Sequence, residues 1–460
     1  MNKAIIYQKL YEKYIRPTEN NHDRFIGVEI EMPIVNLNRQ AVDFSVVHQL
    51  TKAFCERFNF VVSGIDDEGN AYSAENKDNG DILSYDCSYN NLELSFGREV
   101  DLNIIDGRFK EYYTFIQEFF KPYRYTLTGM GVNPYRRYNR NFPVPNGRYR
   151  MLFHHLHSYR KYEGLMEFHP FPEFGTFSSA SQVQLDVNLQ QLPQTLNVMN
   201  RLEPLKALLF GNSPLPDYDP DLLCCRDMFW EKSTHGINPK NVGMYDREFG
   251  SADEILSYIA DTSIYCVERD EKYINFKPIN IVEYLQSEAV QGEYYDNGVY
   301  RDITVTPQIE DLAYLRTFKF EDLTYRGTIE YRSACTQPIK SAMALPAFHV
   351  GLAQRLDRLD ELLSNDDVIY GHGHTPVQLR KMLVKRNLPD FIDADRLYGL
   401  LRQIVDLAQD GLRERGLGEE KYLTPLYERI EKRECPAEYM LKKTESGESI
   451  EKLILDFAEL

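Results

Sequence analysis

Long apolar runs and surplus positive charge are both missing from this chain, and each absence removes a class of function. The N-terminus, MNKAIIYQKLYEKYIRP, scatters charges among its apolar residues, so neither a signal peptide nor a membrane span is expected there and a cytoplasmic location is the expectation. Lys and Arg total 53 against 70 Asp and Glu, a formal net charge of −17, which lacks the electrostatic footprint of a nucleic-acid or anionic-membrane binder. Small charged substrates are the expected partners. Cysteine is sparse: Cys55, Cys87, Cys224, Cys225, Cys266, Cys335 and Cys435 are dispersed apart from one adjacent pair, and none forms the CxxC spacing of a zinc or dithiol motif. Reduced thiols are expected, with Cys224 and Cys225 either redox-sensitive or packed as small hydrophobes.

Familiar nucleotide and metal signatures are absent too. There is no GxxxxGK[ST] loop, and GMGVNP at Gly129 to Pro134 lacks the third glycine and following helix of a dinucleotide fingerprint. The histidines of FHHLH (His154, His155, His157) and GHGH (His372, His374) lack HExxH spacing, so packing or surface roles are expected of them.

What is present is enough apolar material, 43% of 460 residues, to bury one large or two moderate domains. The pattern changes near Ala342. Before it, short alternating segments mix with helical ones; after it, stretches such as LPAFHVGLAQRLDRLDELL and DADRLYGLLRQIVDLAQDGLRERG carry apolar residues at helical spacing. The expected organisation is an α+β core over residues 1–341 and a helical region over 342–460 packed on it.

Four alternating segments share a polar face. In FIGVEIEM, Val28, Ile30 and Met32 oppose Gly27, Glu29 and Glu31, and in NLELSF, Leu92, Leu94 and Phe96 oppose Asn91, Glu93 and Ser95. In SQVQLDVNL the apolar set opposes Gln182, Gln184, Asp186 and Asn188; in GTIEYRS, Ile329 and Tyr331 oppose Thr328, Glu330 and Arg332. An antiparallel sheet with helices behind one face behaves this way. The acidic face either solvates the sheet or does chemistry.

Glu29 and Glu31, two apart on one strand, have Cα atoms about 6.5–7 Å apart and repel unless cations intervene. Magnesium, an octahedral ion that takes carboxylate and phosphate oxygens, suits them, with Glu93 and Glu330 completing a cluster. No His or Cys accompanies these residues, so zinc does not suit. Arg332, on the face of Glu330, either forks onto the phosphates of a nucleotide or pairs with a strand carboxylate.

Taken together, these segments resemble the plant-type glutamate–cysteine ligases and their bacterial relatives. GVEIEM is similar to the family's GxExE strand, LELS to FELS, PNGRYRM to PKGRYxxM, and SSASQVQLDVN to TxTVQVNLD. LLFGNSPLPD with Arg226 and Trp230, DTSIYCVERDEKYI, LPAFHVGL and the C-terminal LAQDGLRERGLGEEKYLTPLYERI…CPAEYML continue the match in order over residues 25 to 441. The resemblance implies an α+β, glutamine-synthetase-like fold: a curved, mainly antiparallel β-sheet with the active site on its concave face, helices behind, and a helical C-terminal region.

It also implies roles. Glu29, Glu31, Glu93, Gln184 and Glu330 fall on the family's metal and ATP-phosphate positions, Arg332 on its phosphate-facing arginine, and Arg226 and Arg269 on arginines that hold the α-carboxylate of glutamate. Asp86 stands near a family glutamate in a loop one residue longer, and Arg148 lies in a recurrent segment without an assigned role. The implied reaction uses ATP and Mg2+ to make a γ-glutamyl phosphate, which an amine, cysteine in this family, converts to an amide. Three departures bear on the acceptor: His349 replaces a tryptophan, Cys335 an acidic residue, and QLDVN differs from QVNLD. A γ-glutamyl ligase for another amine, and a relative that has lost turnover, are therefore the alternatives.

Overall fold

The computed structural model describes residues 1–19 and 24–460. In chain order its strands are β1 (Ile26–Asn36), β2 (Val61–Ile65), β3 (Ala71–Glu75), β4 (Ile82–Tyr85), β5 (Asn91–Glu99), β6 (Tyr125–Leu127), β7 (Ser181–Asp186), β8 (Val242–Gly243), β9 (Ser263–Arg269), β10 (Lys272–Asn280), β11 (Val290–Asp296), β12 (Val299–Val305), β13 (Phe318–Lys319), β14 (Glu321–Leu323) and β15 (Thr328–Tyr331). Nine of them form the main sheet in the order β14-β15-β7-β1-β5-β4-β3-β2, with β6 added along the far end of β1. Every pairing in that sheet is antiparallel. The expected α+β class with a mainly antiparallel sheet is what the chain adopts.

Register carries the argument from strands to site, because residues directly opposite one another share a face. Glu31 faces Glu93 and Glu29 faces Ser95 across β1 and β5, Glu29 faces Gln182 and Gly27 faces Gln184 across β1 and β7, and Gln184 faces Glu330 across β7 and β15. The four polar faces read from alternation are therefore one continuous face.

The other face holds Val28, Ile30, Leu92, Leu94, Val183, Leu185, Ile329 and Tyr331, all buried in one cluster with helical residues. Helix Leu102–Phe120 contributes Ile105, Phe109, Tyr112, Tyr113, Ile116 and Phe120, spaced by three or four residues so that they line one side. Its start is fixed by Asp101, which accepts from the Asn103 amide at 2.8 Å. Helix Leu192–Phe210 is buried almost throughout, and helix Ala344–Ala353 packs behind β7. Strands β9–β12 form a separate four-stranded antiparallel sheet. From Ala344 to Ala458 the described elements are all helical.

Close packing explains GMGVNP. A Cβ on Gly129 would stand 2.2 Å from the Gln337 carbonyl oxygen, and one on Gly131 would stand 2.7 Å from Cys335 Cβ. The glycines admit neighbouring chain.

Candidate active site

The central carboxylates are held by protein donors. The Gln184 side-chain amide donates to Glu29 Oε1 at 2.8 Å and to Glu330 Oε1 at 2.7 Å. Glu31 accepts from the Ala180 backbone amide at 2.7 Å and from Gln182 at 3.1 Å. Ser95 donates to Glu93, and Arg332 pairs with Glu330. Among the described residues no three carboxylate, histidine or cysteine side chains already converge on a metal position. A bound cation therefore requires some of these side chains to exchange a protein donor for the ion.

Electrostatics says what the face lacks. Burial, then the charges of Glu330 and Glu93, pushes the Glu29 carboxyl well above the usual range. Burial, then Asp86, lifts Glu31 to about 8, and burial with Asp86 and Glu31 lifts Glu93 to about 8. Asp86 is raised by burial as well, against the pull of Arg148, Arg332 and Arg226. Carboxylates gathered so closely need more positive charge than the protein supplies. A divalent cation fits that deficit and this all-oxygen donor set.

Arginines edge the face. Arg332 is partly buried, and the desolvation lowers its affinity for the proton, but Glu330 and Asp322 outweigh that and raise it. Arg226 is 6% exposed; its Nη1 donates to the Ser333 and Ala334 carbonyls at 3.3 and 3.0 Å while its buried Nε has no partner. Together with Trp230, Phe318 and Phe320 these two arginines line a narrow cavity. Arg148 follows Asn146, whose side chain caps helix Gly147–His157 through the Tyr149 amide at 2.8 Å, and its charge acts on Asp86.

Arg269 is held by other partners. It pairs with Asp311 at 2.6 Å at the end of β9, and the Tyr284 hydroxyl donates to the same carboxylate at 2.7 Å. Among the described residues no hydrogen bond or ion pair joins Arg269 to the main sheet's polar face. An α-carboxylate contact from Arg269 would have to break that pair.

His349 lies behind the sheet. It is fully buried on helix Ala344–Ala353 and stacks on Tyr331 at 4.1 Å, and Tyr331 faces Val183 and Glu321, away from Glu330. Its departure from the family pattern is thus a change in packing. Cys335 follows Ala334, whose carbonyl Arg226 holds, and its Sγ lies 3.6 Å from Cys224 Sγ and 3.2 Å from Ser213 Oγ. All seven cysteines are free.

Three further residues on or beside the face take part: the strand pattern places Gln182 on it without a role, and Asp322 and Arg326 lie outside the pattern. Gln182 holds Glu31 with its amide nitrogen while its carbonyl oxygen is buried without a partner; its parity with Gln184 was the available signal. Asp322 faces Glu330 from β14, a strand of three residues that is too short to show alternation. Arg326, in the turn to β15, donates to Gln184 Oε1 at 2.7 Å, and turns have no periodicity to read. A separate groove of about 740 Å³ runs among the C-terminal helices, and none of these carboxylates or arginines lines it.

A sequence model of glutamate-cysteine ligase family 2 matches residues 25–456. The chain belongs to that family. Its relatives include the chloroplastic glutamate–cysteine ligase of Arabidopsis thaliana, 25% identical over 344 residues, which cover 70% of this chain and 59% of the relative. The chloroplastic enzyme of Solanum lycopersicum is 25% identical over 244 residues, 52% of this chain and 44% of that one. The chain thus spans about half the length of the curated relatives it matches. Among solved structures, the glutamate–cysteine ligase of Francisella tularensis in complex with AMP has a TM-score of 0.46 at 12% identity, covering 95% of this chain and 87% of that one. That likeness is too distant to add to the family assignment.

Proposed function

We propose that this chain is an ATP- and Mg2+-dependent ligase that joins the γ-carboxylate of glutamate to the amine of cysteine. The observation that carries the reading is the continuous polar face, where Glu29, Glu31, Glu93 and Glu330 lie in register on adjoining strands beside Arg332 and Arg226. Membership of the ligase family supports it.

In this reading Glu29, Glu31, Glu93 and Glu330 hold the divalent ions, with Asp86 near enough to add its charge. The ions supply charge neutralisation for the triphosphate and its transferring phosphoryl group. Arg332 turns its fork from Glu330 toward the equatorial phosphoryl oxygens, a geometry lysine cannot reproduce. Arg226 offers its unpaired Nε to the α-carboxylate of glutamate. A γ-carboxylate oxygen then attacks the terminal phosphorus, the bond to ADP breaks, and the acyl phosphate forms. The neutral amine adds to the acyl carbon, expels phosphate and loses a proton. Alignment and exclusion of water are the protein's share of that second step.

The test is incubation of the purified protein with ATP, Mg2+, glutamate and a panel of amines, with ADP assayed and products identified by mass. γ-Glutamylcysteine is the expected product. A product with another amine and none with cysteine would replace the acceptor; no ADP with any combination would remove the ligase reading altogether.

A further inference from the structure

A buried arginine from the C-terminal helices closes a ring of contacts behind the two site arginines. Arg380 lies on helix Pro376–Leu383, whose start is fixed by reciprocal bonds between Thr375 and Gln378. Its side chain is 5% exposed. Its Nε and Nη2 grip Asp227 Oδ2 and Oδ1 at 2.7 and 3.1 Å, and its Nη1 donates to the Glu203 carbonyl at 2.7 Å and to Glu203 Oε2 at 3.3 Å. The guanidinium also lies 5.3 Å over the Phe320 ring.

Each anchor leads to a site arginine, Asp227 through the chain and Glu203 through one hydrogen bond. Asp227 follows Arg226 in helix Arg226–Glu231, which has only six residues and no side-chain cap; besides Arg380, Asp227 accepts a weaker bond from Cys224 Sγ at 3.3 Å. Glu203 accepts from the Ser333 hydroxyl at 3.0 Å, and Ser333 follows Arg332. The ring closes where Arg226 Nη1 donates to the Ser333 carbonyl at 3.3 Å. Lys206 shares the charge of Glu203, but within this ring Asp227 has Arg380 as its ion-pair partner.

We infer that Arg380 is a positioning residue: by holding Asp227 and Glu203 together, it sets where the Arg226 guanidinium stands relative to Arg332, and so where glutamate lies relative to the phosphoryl group. This rests on the proposed function. Arg332 is tethered separately by Glu330, so losing Arg380 releases mainly Arg226. The effect belongs to glutamate binding, and ATP binding is expected to feel it little.

The test is steady-state kinetics of Arg380→Lys and Asp227→Asn with glutamate and ATP varied separately, alongside circular dichroism. Lysine keeps the charge but cannot grip both oxygens of Asp227 while donating to Glu203. The expected result is a glutamate KM raised about 10- to 100-fold, with the ATP KM changed less than about twofold. The double variant should be no worse than the more affected single one, since both break the same contact. If Arg380→Lys does not fold, the near-isosteric Asp227→Asn decides. A glutamate KM within about twofold of wild type, or an equal rise in both KM values, would overturn the inference. An unmodified protein that forms no ADP would instead defeat the ligase reading on which it rests.

Discussion

The Gln184 amide has two N–H groups, and here they are spent on two different carboxylates, Glu29 and Glu330. It holds them side by side and brings no charge of its own, as the proposed cation site requires. Arg332 takes the remaining oxygen of Glu330, so one carboxylate links Gln184 and Glu29 to the arginine, and in the proposed reading the cation to the phosphates. Glu330→Gln keeps the shape and removes the charge. ADP formation is expected to fall about 100- to 1000-fold while the circular dichroism spectrum is retained. A near-normal rate of ADP release would take Glu330 out of the site. By contrast, a substitution of His349 is expected to act on stability, because both its ring nitrogens are buried without partners on the far side of the sheet; unfolding midpoint and acceptor preference, measured together, separate the two effects.

At the scale of the strand, alternation alone makes much of the candidate face legible. β1, β5, β7 and β15 each declare two faces, and register then has little freedom, since a slip of one residue would turn Glu29 and Glu31 into the core. What alternation could not say was which strands adjoin, and that placed Glu330 beside Gln184 and Asp322. The helical C-terminal pattern was equally plain. The Arg269–Asp311 pair is silent in sequence, because a guanidinium at a strand end looks the same whether it waits for a substrate or is held by an aspartate distant in the chain. Arg326 and Arg380 were silent because a turn and a buried ion pair have no periodicity. The core side of β1 also has its own prediction. Ile30 is 1% exposed, and Ile30→Ala is expected to lower stability by about 2–5 kcal/mol, read as a reduced denaturant midpoint at unchanged slope; a midpoint that does not move would mean the apolar face is not packed as described.

Across the whole molecule, buried charge is divided by the sheet. In front, carboxylates repel one another; behind, Glu203, Lys206, Glu321 and Arg380 form a compensated group on the side that should be apolar. Burial pushes the Glu203 carboxyl up, but Lys206 and Arg380 prevail and hold it down at about 2, while burial and the neighbouring Glu203 keep Glu321 well above the usual range. A carboxyl depressed on folding adds stability above its unfolded pKa, near 4.3, and that contribution drains away as pH falls toward 2. Glu203→Gln should therefore be less stable at neutral pH and lose less on acidification through that window; parallel stability–pH curves for the two proteins would contradict this.

The central claim is that the front face binds divalent cation together with ATP. It is tested most directly by titrating Mn2+ into the protein in the presence of ATP and following the ion by its electron paramagnetic resonance, in wild type and in Glu29→Gln, Glu93→Gln and Glu330→Gln. The account predicts protein-bound Mn2+ in the wild type and affinity weakened about tenfold or more in each variant, roughly 1.4 kcal/mol apiece. Unchanged Mn2+ affinity in all three variants would contradict it.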